Sequence, residues 1–397
     1  MNVKHVGLSG CDDWHMEIPF ATSQRSTIGI EWELALVDAD SGDLRQVADH
    51  VIAEVAPAYG EQHPHIRQEL LLNTVEVVSG VADTVGAAGA DLQRNIDLLR
   101  PILDPLRVDL MCAGTHPFSR WDHQKVTDKE RYATLIDRTQ WWGRQMLIYG
   151  VHVHVGIEDR DKVMPISAAM LSYYGHLQAL SASSPFWGGK DTGYASNRAL
   201  MFQQLPTAGL PFHFQQWAEL EHYVDDLTKT GVIDVFEEIR WDLRPSPKFG
   251  TLEVRVCDGV PTMAELMSTS ALTQCLVEHF SSELDAGRTL PNIPPWFAQE
   301  NKWRSARYGM DAIVILDERG EEELVTTDLV ALLQRLEPVA ERLGCAEELG
   351  GVHDIIATGA SYQRQRAVAA ANDGELSAVV ASLVEEMHLG RPVLPQS

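Results

Sequence analysis

Four short stretches of this chain alternate strictly between apolar and ionisable side chains, and that alternation limits the folds open to it. In TIGIEWELALVD (residues 27–38), Ile28, Ile30, Trp32, Leu34 and Leu36 share one phase, and Gly29, Glu31, Glu33 and Ala35 share the other. NTVEVVSG sets Val75 and Val77 against Thr74 and Glu76. YGVHVHVGIED sets Val151, Val153 and Val155 against His152 and His154. FGTLEVRVCD sets Leu252, Val254 and Val256 against Thr251, Glu253, Arg255 and Cys257. A period of two places successive side chains on opposite faces of a strand. The pattern therefore predicts an α+β fold in which one sheet packs its apolar back on helices and presents a polar front.

An outward-facing glutamate on a single strand is ordinarily just solvated. Here the polar phase is rich in carboxylates and short of lysine. Like charges on neighbouring strands repel, so such a face needs bound cations or raised carboxyl pKa values. Oxygen donors with one histidine per site suit hard divalent ions such as Mg2+ or Mn2+. Glu31 and Glu33 point the same way about 7 Å apart, a spacing that lets them serve two different ions, and His152 and His154 repeat it. Arg255 beside Glu253, with Arg240, Arg244 and Lys248 just upstream, suits a transferring phosphoryl group. The competing reading makes Glu253 and Arg255 a routine surface ion pair.

The chain has 397 residues and a formal net charge of −25, which argues against nucleic acid as a partner. Its five cysteines are scattered and include no CxxC pair, so reduced thiols are expected rather than a disulfide framework or a structural zinc. Neither a signal peptide nor a membrane span is evident, and the expected location is the cytoplasm. Residues 1–24 read as a loose N-terminal arm and 25–397 as one domain. Helices are expected over 83–108, 128–148 and 165–182 and over most of the chain beyond 262. Residues 109–118 read as a buried strand running into a loop. The Gly-rich loop SSPFWGGKDTGYASNR (183–198) is a candidate lid over the site, the alternative being a passive surface loop. Lys190 at its tip is a candidate nucleotide contact. Arg304 and Arg307, one turn apart, are either substrate contacts or ordinary helix-surface arginines. No P-loop and no strand–GxGxxG–helix unit is present, so a bound nucleotide would have to be clamped on the sheet face through metal.

These stretches, together with WDLRPSPKFGTLEVRVCD, GTHPF and ENKWRSARYGMDA, resemble in order the motifs of the glutamate–cysteine ligase type 2 family, carboxylate–amine ligases related to glutamine synthetase. The resemblance runs from about residue 26 to beyond 310. It implies a mainly antiparallel sheet whose concave face binds Mg2+ and ATP, with small-molecule substrates: a carboxylate such as glutamate and an amine such as cysteine. The reaction it implies is amide formation through an acyl phosphate, here with weak glutamate–cysteine ligase activity. By motif, Glu31, Glu33, Glu76, His152 and Glu253 would be metal ligands, with Glu69 a further one. His154, Arg244 and Arg255 would be catalytic and would contact the nucleotide phosphates. The strand departs from the family pattern at Trp32 and Leu34, which fall in the apolar phase and should pack on the back. A homo-oligomer is left open, and the segment after about residue 315 carries no usable motif. The alternative function is a zinc amidohydrolase using the HxH strand, which would want further His or Cys ligands.

Overall fold

A computed structural model describes residues 17–58, 60 and 62–393. The strands are β1 (Ile28–Asp38), β2 (Ile66–Gln68), β3 (Thr74–Val78), β4 (Val108–Met111), β5 (Val151–Gly156), β6 (Phe186–Trp187), β7 (Lys190–Asp191), β8 (Leu243–Ser246), β9 (Thr251–Val254), β10 (Ile313–Ile315) and β11 (Glu322–Leu324). Seven of them form one sheet in the order β2-β3-β1-β5-β9-β8, with β4 also pairing to β1. Every pairing is antiparallel. The long β1 is the axis of the sheet. It pairs with β3 on one side and, on the other, with β5 along its first half and β4 along its last residues.

The apolar phases form the back, as the alternation requires. Ile28, Ile30, Trp32, Leu34 and Leu36 are buried together with Val75, Val77, Val151, Val153, Val155, Leu252 and Val254. The helices Val85–Leu103, Arg160–Met170 and Met263–Asp285 contribute to the same core. The helices Val325–Leu343 and Ala346–Thr358 pack outside Met263–Asp285. Each fully buried large aliphatic or aromatic side chain contributes about 1.5–3 kcal/mol. That fixes the strand register, because a slip of one residue would turn every glutamate of the front into the core. Trp32 lies on the back as expected, its indole N–H donating to the Val260 carbonyl at 3.1 Å.

The front is not polar along its whole length. Ala35 and Val37, in the polar phase of β1, join a second core with Met111, Leu147, Tyr149, Val379, Val380 and Leu383. The helix Leu376–Leu389 thus walls off one end of the front, giving the C-terminal segment a role that its sequence did not announce. Two expectations need correction. Residues 17–24 are not a loose arm: Ile18 is buried, its N–H donates to Glu221, Phe20 packs edge-on against Trp217, and the Ala21 N–H donates to the Pro247 carbonyl. Residues 1–16 of the expected arm lie outside the described residues. The helix expected over 128–148 is two helices, Glu130–Thr139 and Trp141–Arg144, broken at Gln140 with φ +46°. Among the described residues no helix is long and apolar enough to cross a membrane.

Candidate active site

The register sets the polar residues of the front in one row across the sheet. Arg67 stands opposite Glu76, Glu76 opposite Glu33, Glu31 opposite His152, His154 opposite Glu253, and Glu253 opposite Arg244. Side-chain contacts follow that order. His152 Nδ1 is 3.1 Å from Glu31 Oε2, and His154 Nε2 lies 3.6 Å from Glu31 Oε1 and 3.9 Å from Glu253 Oε1. Arg244 donates to Glu253 Oε2 at 2.7 Å, and Arg255 donates to Glu253 Oε1. The Gly150 N–H donates to Glu33 Oε2 at 2.6 Å. Of the sequence candidates, Glu31, Glu33, Glu76, His152, His154, Arg244, Glu253 and Arg255 are therefore brought together.

The row is electrostatically divided. Glu253 is buried, which opposes ionisation, but the guanidinium groups of Arg255 and Arg244 overcome this and hold its carboxyl well below the usual range. Burial likewise opposes ionisation of Glu31, and hydrogen bonds from His152 and His154 lower it. At the opposite end the charges of Arg67 and Arg198 do not overcome burial. Burial and the charge of Glu69 push Glu33 up to about 7. Burial, then the charges of Glu69, Glu31 and Glu33, push Glu76 well up, and burial raises Glu69 too. Burial and the neighbouring Arg255 depress His152 to about 4, so it is neutral and free to ligate. His154 is raised despite burial, by Glu253 and Glu31.

Two triads of potential ligand atoms occur in the row, Glu31–His152–Glu253 and Glu33–Glu76–His152, with the atoms of each within 4.8 Å of one another. Each offers two carboxylates and one imidazole, a donor set for a hard divalent ion rather than for a structural zinc. The surplus of anionic charge around Glu33, Glu69 and Glu76 points the same way. Both triads use His152, and Glu31 and Glu33 fall in different triads.

Lys190 is not brought into the row: it is exposed on the β6–β7 hairpin, and among the described residues it has no ion-pair partner. The loop 183–198 is tied down rather than free. The buried Asp258 accepts the Ser183 N–H at 3.0 Å and the hydroxyls of Ser184 and Ser196 at 2.7 and 2.9 Å, which fixes both stems. Arg366 pairs with Asp191, and Arg307 donates to the Gly193 carbonyl. Arg307 thus holds the loop, while Arg304 makes ion pairs with Glu300 and Glu322.

Sequence reasoning missed Arg198. Its side chain is 4% exposed, reaches the Arg255 carbonyl at 3.3 Å, occupies the space a Cβ at Gly150 would need, and lowers the Glu33 carboxyl by its charge. Its only signal was its place at the end of a long motif. Arg67, 3.9 Å from both Glu31 and Glu76, was also missed, as its three-residue strand shows no alternation.

A sequence profile described as Glutamate-cysteine ligase family 2 matches residues 27–382. The chain belongs to glutamate–cysteine ligase family 2. It is 60% identical over 380 residues to "Putative glutamate--cysteine ligase 2-1" of Arthrobacter sp. (strain FB24), covering 94% of this chain and 99% of that one. It is 60% identical over 370 residues to "Putative glutamate--cysteine ligase 2" of Mycobacterium tuberculosis (strain ATCC 25618 / H37Rv), covering 93% and 97%. Among solved structures, the glutamate–cysteine ligase from Francisella tularensis in complex with AMP superposes with a TM-score of 0.63 at 13% identity, covering 93% of this chain and 94% of that one. A bifunctional glutathione synthetase from Pasteurella multocida gives 0.63 at 14% identity, covering 91% and 52%. This family 2 chain is an ATP-dependent ligase with the glutamate–cysteine ligase fold. Nothing among its relatives supports a zinc amidohydrolase, and each of its ligand triads has one histidine where such a site would want more.

Proposed function

We propose that this enzyme joins glutamate to cysteine, with ATP converted to ADP and phosphate on the sheet front and Mg2+ held by the row. The carboxylate takes the terminal phosphoryl group of ATP to give an acyl phosphate and ADP. The amine then attacks the acyl carbon, and phosphate leaves as the amide forms. The observation that carries the reading is the divided row, which sets surplus carboxylates beside a pair of half-buried arginines.

Glu31, Glu33, Glu76, His152 and Glu253 would hold the ions, with Glu69 close by. Divalent ions bound there would neutralise the triphosphate and polarise the transferring phosphoryl group. The remaining roles fall to the chain itself. Arg255 is largely enclosed, kept charged against desolvation by Glu253, and its buried Nε has no hydrogen-bond partner among the described residues. That N–H is available to a phosphoryl oxygen as negative charge develops there. Arg244 shares Glu253 with it and fixes the carboxylate between two guanidinium groups. His154 is held toward its protonated form and can donate to a phosphate oxygen. The tied loop 183–198 and the helix Leu376–Leu389 limit water at one end of the front, which protects an acyl phosphate from hydrolysis.

The test uses glutamate carrying heavy oxygen in its γ-carboxylate. With Mg2+, ATP and cysteine, the expected result is ADP release dependent on both substrates and one heavy oxygen in the released phosphate. ADP release indifferent to the acid and the amine, or unlabelled phosphate, overturns the reading.

A further inference from the structure

We propose that Cys275 and Cys345, on the side of the sheet away from the active row, form a thiol modification site: a dithiol that closes to a disulfide under oxidants and lowers turnover. The two sulfurs are 3.6 Å apart and both residues are buried. They lie 70 positions apart in the chain, so only the fold brings them together. The other described cysteines, Cys112 and Cys257, are buried without a cysteine partner.

The surroundings permit the step. A disulfide needs its sulfurs at about 2 Å, so one side must move. Cys345 sits in the junction between the helices Val325–Leu343 and Ala346–Thr358, directly after Gly344 with φ +67°. Its neighbours Gly344 and Ala346 are exposed, so it lies one residue beneath the surface. An open cavity of about 590 Å3 lies beside the pair without touching either sulfur. It is lined by Arg342 and Leu343, just before Cys345, and by Glu278 and Ser282, one and two turns beyond Cys275. The Cys275 thiol hydrogen-bonds to Cys345 and holds the Cys345 thiol below its ordinary value, which favours Cys345 as the attacking thiolate.

The chemistry balances with a small-molecule disulfide as oxidant. The Cys345 thiolate attacks one sulfur of RSSR, forming a mixed disulfide and releasing one thiol. Cys275 then attacks the sulfur of Cys345, loses its proton, and releases the second thiol. Two electrons pass from the protein to RSSR, leaving one protein disulfide and two RSH.

The helix that carries Cys275, Met263–Asp285, is tied to the chain just ahead of β1. Gln274, adjacent to Cys275, donates to the Ser26 carbonyl at 2.7 Å. Glu278, one turn on, accepts from the Ser26 hydroxyl and pairs with Arg25 at 2.8 Å. Ser26 is two residues before β1, which carries Glu31 and Glu33. Closing the bond draws the junction at Cys345 and the helix at Cys275 toward each other, and the share taken up by Cys275 pulls on the anchor of the strand at the centre of the row.

One portion of the purified protein is treated with cystine, its remaining thiols are blocked and its peptides are mapped by mass spectrometry, while ADP release by a second treated portion, freed of cystine, is followed with 2-aminobutyrate, an amine of cysteine's size without a thiol, in place of cysteine. The expected result is a peptide linking Cys275 to Cys345 and a loss of turnover of about fivefold, a typical size for coupling between sites, reversed by a reductant. Cys275→Ala and Cys345→Ala should each turn over like the untreated enzyme and ignore cystine. Absence of the linked peptide overturns the proposal. So does a linked peptide with unchanged turnover, or loss of turnover in both variants equal to that of the parent. Should one variant fail to fold, the other and the peptide map of the parent still decide.

Discussion

Replacing Glu33 by glutamine separates the cost of the carboxylate cluster from its use. Raising this carboxyl from its ordinary 4.5 to about 7 makes its ionised form about 3 kcal/mol less favourable in the folded protein than in the unfolded chain. The folded state binds the proton more tightly, so stability falls as pH rises from 4.5 to about 7, and above 7 the full cost is present. Below 4.5 both states are protonated and the cost vanishes. Glutamine keeps an oxygen for the Gly150 N–H and removes the charge facing Glu69 and Glu76. In chelator, Glu33→Gln should therefore be more stable than the parent by up to about 3 kcal/mol at pH 8 and nearly equal to it near pH 4. Adding Mg2+ reverses the order, because an ion that binds only the folded state stabilises it in proportion to the logarithm of one plus the ratio of its concentration to its Kd, and the variant has lost a ligand. Urea unfolding at both pH values, with chelator and with Mg2+, measures all four quantities. A variant less stable than the parent at pH 8 in chelator, or stabilised by Mg2+ as much as the parent, refutes the reasoning.

Three further outcomes are expected. Arg255→Lys should cut ADP release at least about tenfold while folding is retained, since lysine cannot reproduce the guanidinium fork; near-normal turnover removes Arg255 from the chemistry. Mg2+ binding at pH 7 should release protons from Glu33 and Glu76, seen as a calorimetric heat that varies with the ionisation enthalpy of the buffer; a buffer-independent heat contradicts the raised pKa values. Lys302→Met should destabilise the protein by about 3–5 kcal/mol, because it strands the buried Asp242, now paired with Lys302 at 2.7 Å; chemical denaturation should show most of the loss restored by adding Asp242→Asn, and a second substitution without effect would contradict the ion-pair account.

Much of the fold was legible because four strands set apolar side chains on one face and polar ones on the other, and period-two alternation records that division directly. Strand β8 escaped the same reading. It is four residues long and contains Pro245, which removes a ladder N–H and is tolerated because β8 lies at the edge of the sheet. Arg198 was hidden for a different reason: what it fits against is the backbone of Gly150, and an absent side chain leaves no pattern. The break at Gln140 is flanked by Thr139, Trp141, Trp142 and Gly143, weak helix formers that mark the stretch as fragile without fixing where it gives way. The helices beyond residue 325 carry ordinary amphipathic patterns, which reveal that they pack but not that Leu376–Leu389 closes one end of the site.

The core and the site are two outcomes of a single choice of register. Glu31 faces His152 and Glu33 faces Glu76 because Ile30, Trp32 and Leu34 must lie behind β1 with Val151, Val153, Val75 and Val77. Shifting β1 by one position would expose Trp32 and bury the carboxylates, and burying even one unpaired carboxylate costs several kcal/mol. Hydrophobic burial thus drives the assembly of a row that is itself unfavourable, as the raised carboxyl groups of Glu33, Glu69 and Glu76 show. The strain falls on the end of the row where burial outweighs Arg67 and Arg198, and the end held by Arg244 and Arg255 is left poised for anionic phosphate. A cation therefore binds most favourably where the apo protein is least comfortable, so loading with Mg2+ should add the most stability at the pH where the metal-free protein has lost it.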